Sequence, residues 1–409
     1  MRNIFTSIDI GTSRIKIVVS EKYNGMYNVL SSTIMPTEGM KRGLIVDSRL
    51  VSSALKKAVK QAENKLGMKI TKTIAIIPSN NIEIVSTSAN LIMKEEDNTI
   101  TGNQIFNCLQ RAMAKAVKQG MEAVNVFPKE FTIDKKEKTK NPLGKKGNDL
   151  GVKAVVTLVP RKNVYSVVSL IEGIGIEVMD ISIGTPATYY SFDHRGLNDK
   201  ITAIVDIGYE KTDIALFNKG IISESIILPV GSKFVDNDIA KTYEIDVELA
   251  QEIKEKFAVC NRKYADGNEI YSTKVYNSDI NINQYELAEL IEIRIIDILK
   301  NVKIQLNNLT NNEIGYIMVL GGITSMLGFD ALVEDVFVRN ATILNIGVVG
   351  VRDNSYAQAY GSIKYFCDKL KLRDKEYTMF SNAEIESLVS TKKKIGSNTF
   401  GKIFGKIFD

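Results

Sequence analysis

The chain opens with short, β-branched apolar runs on either side of a tight GlyThrSer turn, IFTSIDI before it and RIKIVVS after it. That pattern predicts two strands of a hairpin rather than a strand feeding a helix. Over 47–66, Leu50, Val51, Ala54, Leu55, Ala58, Ala62 and Leu66 recur at helical spacing, with Asp47 or Ser48 as N-cap and Gly67 as C-cap. A buried strand follows at 73–77 and stops at Pro78. Residues 82–160 read as an inserted unit: a strand-like segment, a helix with Ile105, Leu109, Ala112, Met113 and Ala116 on one face, and two more strands.

Helix, strand and helix are expected through 161–193. The opening pattern then returns, because VDIGYEKTDIAL matches IDIGTSRIKIVV as strand, AspIleGly, turn and strand. This is an internal duplication about half a chain apart. Helical periods recur at 247–259 and 285–309, followed by a buried strand, IGYIMVLGG, and a helix at 326–337. From 370 the chain turns polar and charged, which reads as a linker.

The division expected is therefore 1–81 with 161–198 as one half and 82–160 as an insertion into it. The second half is 199–229 with 304–369, carrying its own insertion at 230–303. A linker at 370–397 and a terminal helix at 398–409 complete the chain. At 409 residues it is too long for one hydrophobic core, which agrees with two or more domains.

Composition removes several classes of function. The net charge of +5 comes from 53 basic and 48 acidic residues, and no Arg-dense block marks a nucleic-acid surface. Cys108, Cys260 and Cys367 lack paired spacing, so neither a disulfide framework nor a zinc site is indicated, and a reducing cytosol fits. His194 is the only histidine; a Ser/His/Asp triad would have to be built on it, and its neighbours Asp193 and Arg195 read as an exposed turn. Arg2 is followed too soon by Asp9 for a signal-peptide core, and no apolar run reaches membrane-spanning length. Membrane contact is thus expected to be peripheral. The basic loop at 135–148 reads as a solvated turn or a partner contact.

A nucleotide phosphate needs backbone amides that point at it, a glycine that permits close approach, and a hydroxyl or cation nearby. Gly11, Thr12 and Ser13 offer this, with Lys16 on the return strand, and Asp9 stands where it would hold a hydrated magnesium ion. Asp206, Gly208 and Thr212 repeat the arrangement. Two such turns in register imply two similar domains whose hairpins face one another across a cleft. LeuGlyGly at 320–322 is a third glycine-rich junction, either an adenine seat or a tight strand-to-helix turn.

These elements, together with IKEKF at 253–257, resemble the phosphate, adenosine and ribose motifs of the actin, sugar-kinase and DnaK-type superfamily. Within it the chain resembles the FtsA family of bacterial cell-division proteins. PTEGMKRGLIVD at 36–47, FTIDKKEKTKNPLGKKGNDL at 131–150, LAELIEIR at 287–294 and the C-terminus carry that likeness. It implies an α/β, actin-like ATPase fold with the family's inserted subdomain in the first half.

The resemblance places Asp9, Gly11, Thr12, Ser13, Lys16, Asp206, Gly208 and Thr212 around ATP phosphates and Mg2+, with Asp9 and Asp206 acting on the metal through water. Lys254 and Glu255 would meet the ribose and base, and Gly321 and Gly322 the adenine. Arg294 falls where the family receives the C-terminal tail of the tubulin-like FtsZ; otherwise it is a plain helix-surface arginine. Implied partners are FtsZ, further copies of the chain in a protofilament, other division proteins and an anionic membrane surface. Implied localisation is the cytoplasmic face of the cell membrane at the division site. The protein would be a scaffold and at most a slow ATP hydrolase, with Asp9 and Asp206 as the only catalytic candidates. A PilM-like pilus assembly ATPase and a small-molecule kinase of the same fold are the alternatives.

Tyr209 and Glu210 replace glycines usual in the second hairpin. The expectation is that Glu210 turns a carboxylate toward the phosphates and that its replacement by glycine tightens binding. At the C-terminus, Phe400, Ile403, Phe404, Ile407 and Phe408 recur at i, i+3, i+4, i+7 and i+8, flanked by Lys402 and Lys406. This predicts an amphipathic helix lying on an anionic membrane, the alternative being a helix docked on the protein itself.

Overall fold

The computed structural model describes residues 2–93, 97–192, 196–197, 199–275, 278–338 and 340–385. The terminal stripe at 398–409 and the turn around His194 lie outside the described residues.

The first half is built on β1 (Asn3–Ile10), β2 (Arg14–Tyr23) and β3 (Met26–Pro36), an antiparallel meander. A small hairpin, β4 (Met40–Lys41) and β5 (Leu44–Ile45), leads into α1 (Ser48–Leu66). Asp47 caps α1 by accepting from the amides of Arg49 and Leu50, and Gly67 ends it in the left-handed region, φ 78°. β6 (Lys72–Ile77) then lies parallel to β1.

The insertion comprises β7 (Glu83–Ile92), α2 (Gly102–Ala116), β8 (Met121–Ile133), β9 (Glu137–Thr139) and β10 (Asp149–Pro160). Its sheet, ordered β7-β10-β8-β9, packs α2 over a core of its own that includes Ile105, Cys108 and Phe131. The chain rejoins the first half through α3 (Arg161–Glu172), β11 (Glu177–Ile183) and the short α4 (Gly184–Thr188).

The second half repeats the plan. It contains β12 (Ile201–Ile207), β13 (Thr212–Asn218), β14 (Ile221–Leu228), α5 (Lys233–Tyr243), α6 (Val247–Lys256), β15 (Ile270–Val275), β16 (Ser278–Asn283) and α7 (Gln284–Leu309). After these come β17 (Ile314–Leu320), α8 (Phe329–Phe337), β18 (Ala341–Ile343) and α9 (Ala357–Leu372). One five-stranded sheet runs β11-β6-β1-β2-β3 and the other β14-β13-β12-β17-β18, the same order read from opposite edges. In each, an antiparallel meander of three strands carries two parallel strands on its first member. The halves differ in where they are interrupted: after β6 in the first, after β14 in the second.

Two expected boundaries change. The range 304–369 was read as second half, yet α9 packs Ala357, Tyr360 and Ile363 into the core of the first half, beside α4 and β1. A Cβ on Gly361 would stand 2.0 Å from the Ala187 carbonyl oxygen, so only glycine allows this approach of α9 to α4. The range expected as linker, from 370, begins as ordered structure: Met379, Phe380 and Ile385 are buried, and the Met379 amide donates to the Ile4 carbonyl at 2.9 Å. The polar composition of 373–378 hides this because a few scattered residues, Tyr377 among them, do the docking.

Candidate nucleotide cleft

The hairpins β1–β2 and β12–β13 face one another across a cleft of about 460 Å³ between the halves. Their turns close alike: the Gly11 amide donates to the Arg14 carbonyl at 3.0 Å, and the Gly208 amide to the Lys211 carbonyl at 2.9 Å. Cross-strand register sets Asp9 opposite Lys16 and Asp206 opposite Asp213. All four line the cleft, because alternate residues of a strand share a face.

Each charged group already has a partner. Lys16 Nζ lies 2.9 Å from Asp9, and that carboxylate outweighs burial to hold the lysine above its ordinary value. Gln358 on α9 donates to Asp206 at 2.6 Å. Burial, reinforced by the charge of Asp213, pushes Asp206 up to about 6. A cleft carboxylate so under-compensated is what a divalent cation would neutralise, so Mg2+ fits here. Among the described residues no group of three or more His, Cys, Asp or Glu gathers that could hold a metal ion.

Of the residues expected around phosphate, Gly11, Thr12, Ser13, Lys16, Asp9, Asp206 and Gly208 all border the cleft. Thr212 does not. In register it corresponds to Ile15, an inward position, and its hydroxyl is spent on the Val230 carbonyl at 2.7 Å. The side chains that line the cleft in its place are Lys211 and Asp213, which correspond to Arg14 and Lys16 of the first hairpin.

Gly321, Gly322, Lys254 and Glu255 also border the cleft, together with Ala258, Met326 and Gln251. Gly321 has φ 116°, and a Cβ on it would lie 2.1 Å from the Ile207 carbonyl oxygen, so the junction depends on glycine twice over. The helix expected from 326 begins at Phe329; Gly322–Ser325 forms a 3-10 turn instead. Asn354, unnoticed in sequence, is nearly buried and holds this junction by accepting from the Gly321 amide at 3.1 Å and donating to Thr324 Oγ1 at 2.8 Å.

Lys254 is less available than expected. Its ammonium pairs with Asp236, which is wholly buried on α5, and Tyr209 also bonds that carboxylate. Burial dominates and leaves Asp236 above its usual value despite the lysine. Tyr209, a departure from glycine, is thus tied into the second-half insertion.

Glu210 turns away from the cleft lining. Its carboxylate accepts from the Arg42 amide at 2.7 Å and pairs with Lys233 at 2.8 Å. Burial alone would raise its pKa, but these hydrogen bonds outweigh it and hold the group below the ordinary glutamate value. The expectation of a carboxylate facing phosphates is corrected: the β4–β5 hairpin, distant in sequence, supplies an amide that captures it.

Arg294 lies on α7 outside the cleft. It forms a two-pronged pair with Asp238 of α5, one contact at 3.1 Å, and its guanidinium sits over Phe234 at 6.0 Å. A third of the side chain remains exposed.

A family model described as "Cell division protein FtsA" matches residues 203–361, and one described as "SHS2 domain inserted in FTSA" matches 79–158. The cell division protein FtsA of Bacillus subtilis (strain 168) is 27% identical over 379 residues, covering 91% of this chain and 86% of that relative. The chain belongs to the FtsA family of cell-division proteins.

The FtsA of Streptococcus pneumoniae is 26% identical over 369 residues, covering 90% of this chain and 80% of its own length. Among solved structures, a chain of a PilM-PilN type IV pilus biogenesis complex aligns with a TM-score of 0.58 at 14% identity, covering 90% of this chain and 98% of that one. MreB5 of Spiroplasma citri, solved bound to ADP, aligns at 0.53 and 15%, covering 91% and 99%. The fold of this FtsA-family chain is therefore the actin-like ATPase fold, with the inserted domain in its first half.

Proposed function

We propose that this FtsA-family protein binds ATP with Mg2+ between its two hairpins and acts as a scaffold. In that role it tethers FtsZ filaments to the cytoplasmic face of the cell membrane at the division site and self-associates into protofilaments. The carrying observation is the duplicated pair of turns facing one cleft, with Asp9 and Lys16 on one side and Asp206 and Asp213 on the other. The base would lie against Gly321 and Gly322, with Glu255 at the ribose. Asp9 and Asp206 would hold the metal through water, and bound Mg2+ would supply charge neutralisation for the phosphates.

Neither aspartate is a free base, since Lys16 and Gln358 occupy them, which supports slow hydrolysis at most. Arg294, beside Phe234 and Asp238, is the proposed seat for the C-terminal tail of FtsZ. Phe400, Lys402, Ile403, Phe404, Lys406, Ile407 and Phe408 are the proposed membrane contacts. Their apolar stripe and two lysines suit an anionic leaflet, and several tails on one filament would multiply the attachment.

Titration of the full chain with ATP and Mg2+, followed by sedimentation with anionic vesicles, tests both parts. Wild type should bind both, and truncation after Ser397 should release the protein from vesicles while leaving ATP affinity unchanged. Vesicle binding that survives truncation would refute the anchor, and absence of ATP binding by the wild type would refute the nucleotide reading.

A further inference from the structure

The β4–β5 turn bonds both phosphate-type turns. Arg42 (φ 48°) and Gly43 (φ 80°) occupy the left-handed region, the geometry of a tight primed hairpin turn. The Gly43 amide donates to Thr12 Oγ1 at 2.9 Å within the first half. The adjacent Arg42 amide crosses to the second half and donates to Glu210 Oε2 at 2.7 Å. The carbonyl of the same residue is held too: it accepts from Asn80 Nδ2 at 3.1 Å, and Asn80 Oδ1 accepts from Lys211 Nζ at 3.4 Å. Because Glu210 and Lys211 are neighbours, these bonds close a circuit through the β4–β5 turn, the loop after β6 and the second hairpin. Ser79 Oγ at 3.1 Å and the Asp213 carboxylate at 3.0 Å take the other two donors of Lys211, so none is left for a ligand.

The halves also meet through apolar surface. Ile204, Ala215 and Phe217 of the second sheet belong to the core of the first half, and Phe217 stacks on Tyr189 with ring centroids 4.5 Å apart. Apolar packing tolerates a small rotation or slide of one body on another, whereas a hydrogen bond weakens steeply once its angle falls below about 120°. A motion that parts the halves therefore breaks the polar circuit while the apolar joint holds. The circuit is well shielded, with 15% of the Glu210 side chain and 13% of Lys211 exposed, so water does not replace its bonds before they break.

We propose that this circuit is a latch on the cleft, with Glu210 as its catch, and that its breaking sets the rate at which a nucleotide enters and leaves. This rests on the nucleotide reading above. Glu210 is turned to Arg42 and Lys233, and Lys211 has no donor to spare, so the same bonds hold the empty and the loaded cleft. Losing them speeds entry and release alike and leaves the affinity where it was. The latch is thus a kinetic device.

The test is stopped-flow binding and release of a fluorescent ATP analogue with Mg2+ by the full chain, for wild type, Glu210→Ala, Glu210→Gln and Lys233→Met. The alanine variant should raise the association and dissociation rate constants roughly tenfold each, the size expected for one hydrogen bond to a charged group, with their ratio within about twofold of wild type. Glutamine keeps an acceptor and should recover part of the slow exchange. Lys233 pairs with Glu210 inside the second half, so Lys233→Met should leave both rates within about twofold. A second measurement needs no nucleotide: Lys16, 17% exposed in the cleft, should react with an acylating reagent roughly tenfold faster in Glu210→Ala than in wild type, read by mass spectrometry. Unchanged rates would overturn the latch. Faster release with weakened affinity would make Glu210 a nucleotide contact instead, and equal acceleration by Lys233→Met would mean general loosening; either overturns the proposal. Wild type that binds no nucleotide would overturn the nucleotide reading, and the Lys16 acylation rates would still decide whether Glu210 holds the cleft shut.

Discussion

The guanidinium of Arg14 lies 2.5 Å from the carboxylate of Glu255, so the first phosphate-type turn of one half touches the proposed ribose helix of the other. Both side chains are about two-fifths exposed, at 39% and 42%. Exposed pairs of this kind contribute less than about 1 kcal/mol. A double-mutant cycle with Arg14→Ala and Glu255→Ala, followed by denaturant unfolding, should give a coupling of that size. It should vanish near 1 M salt, where the screening length falls to about 3 Å.

The Lys254–Asp236 pair belongs to the opposite regime. Asp236 is wholly buried, so removing only its partner leaves a charge with no water to solvate it. Lys254→Met should destabilise the protein by about 3–5 kcal/mol, and adding Asp236→Asn should recover most of the loss. Urea midpoints of the single and double variants measure this.

Asp206 sets a pH dependence whose sign follows from its raised value. Because the folded state holds this proton more tightly than the unfolded chain, its contribution is fully present below the unfolded value of 3.8. It is lost as pH rises through about 6. At pH near 7 the charged group therefore weakens the fold. Asp206→Asn should stabilise the nucleotide-free protein there by roughly 1–3 kcal/mol, an advantage that fades near pH 4. The same variant should bind ATP with Mg2+ more weakly. Melting temperatures across that pH range check the first effect, and titration the second.

Glu210→Gly is expected to leave nucleotide affinity within about twofold of wild type, because the carboxylate is held by Arg42 and Lys233 rather than aimed into the cleft. Titration with ATP decides it. Tightening by tenfold or more would restore the like-charge reading.

Much of the architecture is legible in local pattern. The strand period, AspIleGly at both 9–11 and 206–208, and the helical stripe of α1 identify the duplicated hairpins and the capped helix because such signals depend only on neighbours in sequence. Gly321 is legible as a special position, although its reason, the Ile207 carbonyl 2.1 Å from where a Cβ would sit, is not.

Contacts between distant segments were beyond that reach. Thr212 and Asp213 differ by one place in a strand, so the choice of which faces the cleft rests on the register with β12. Glu210 looked like a charge among phosphates until the β4–β5 turn brought the Arg42 amide to it. α9 follows the second half in sequence yet packs on the first, since Gly361 lets it approach α4 closely. The residues themselves determined the repeated strand-turn-strand units and the chemistry each carries. The tertiary structure decided which charges are free, because partnership in a folded chain is settled by burial and close approach between residues far apart in sequence.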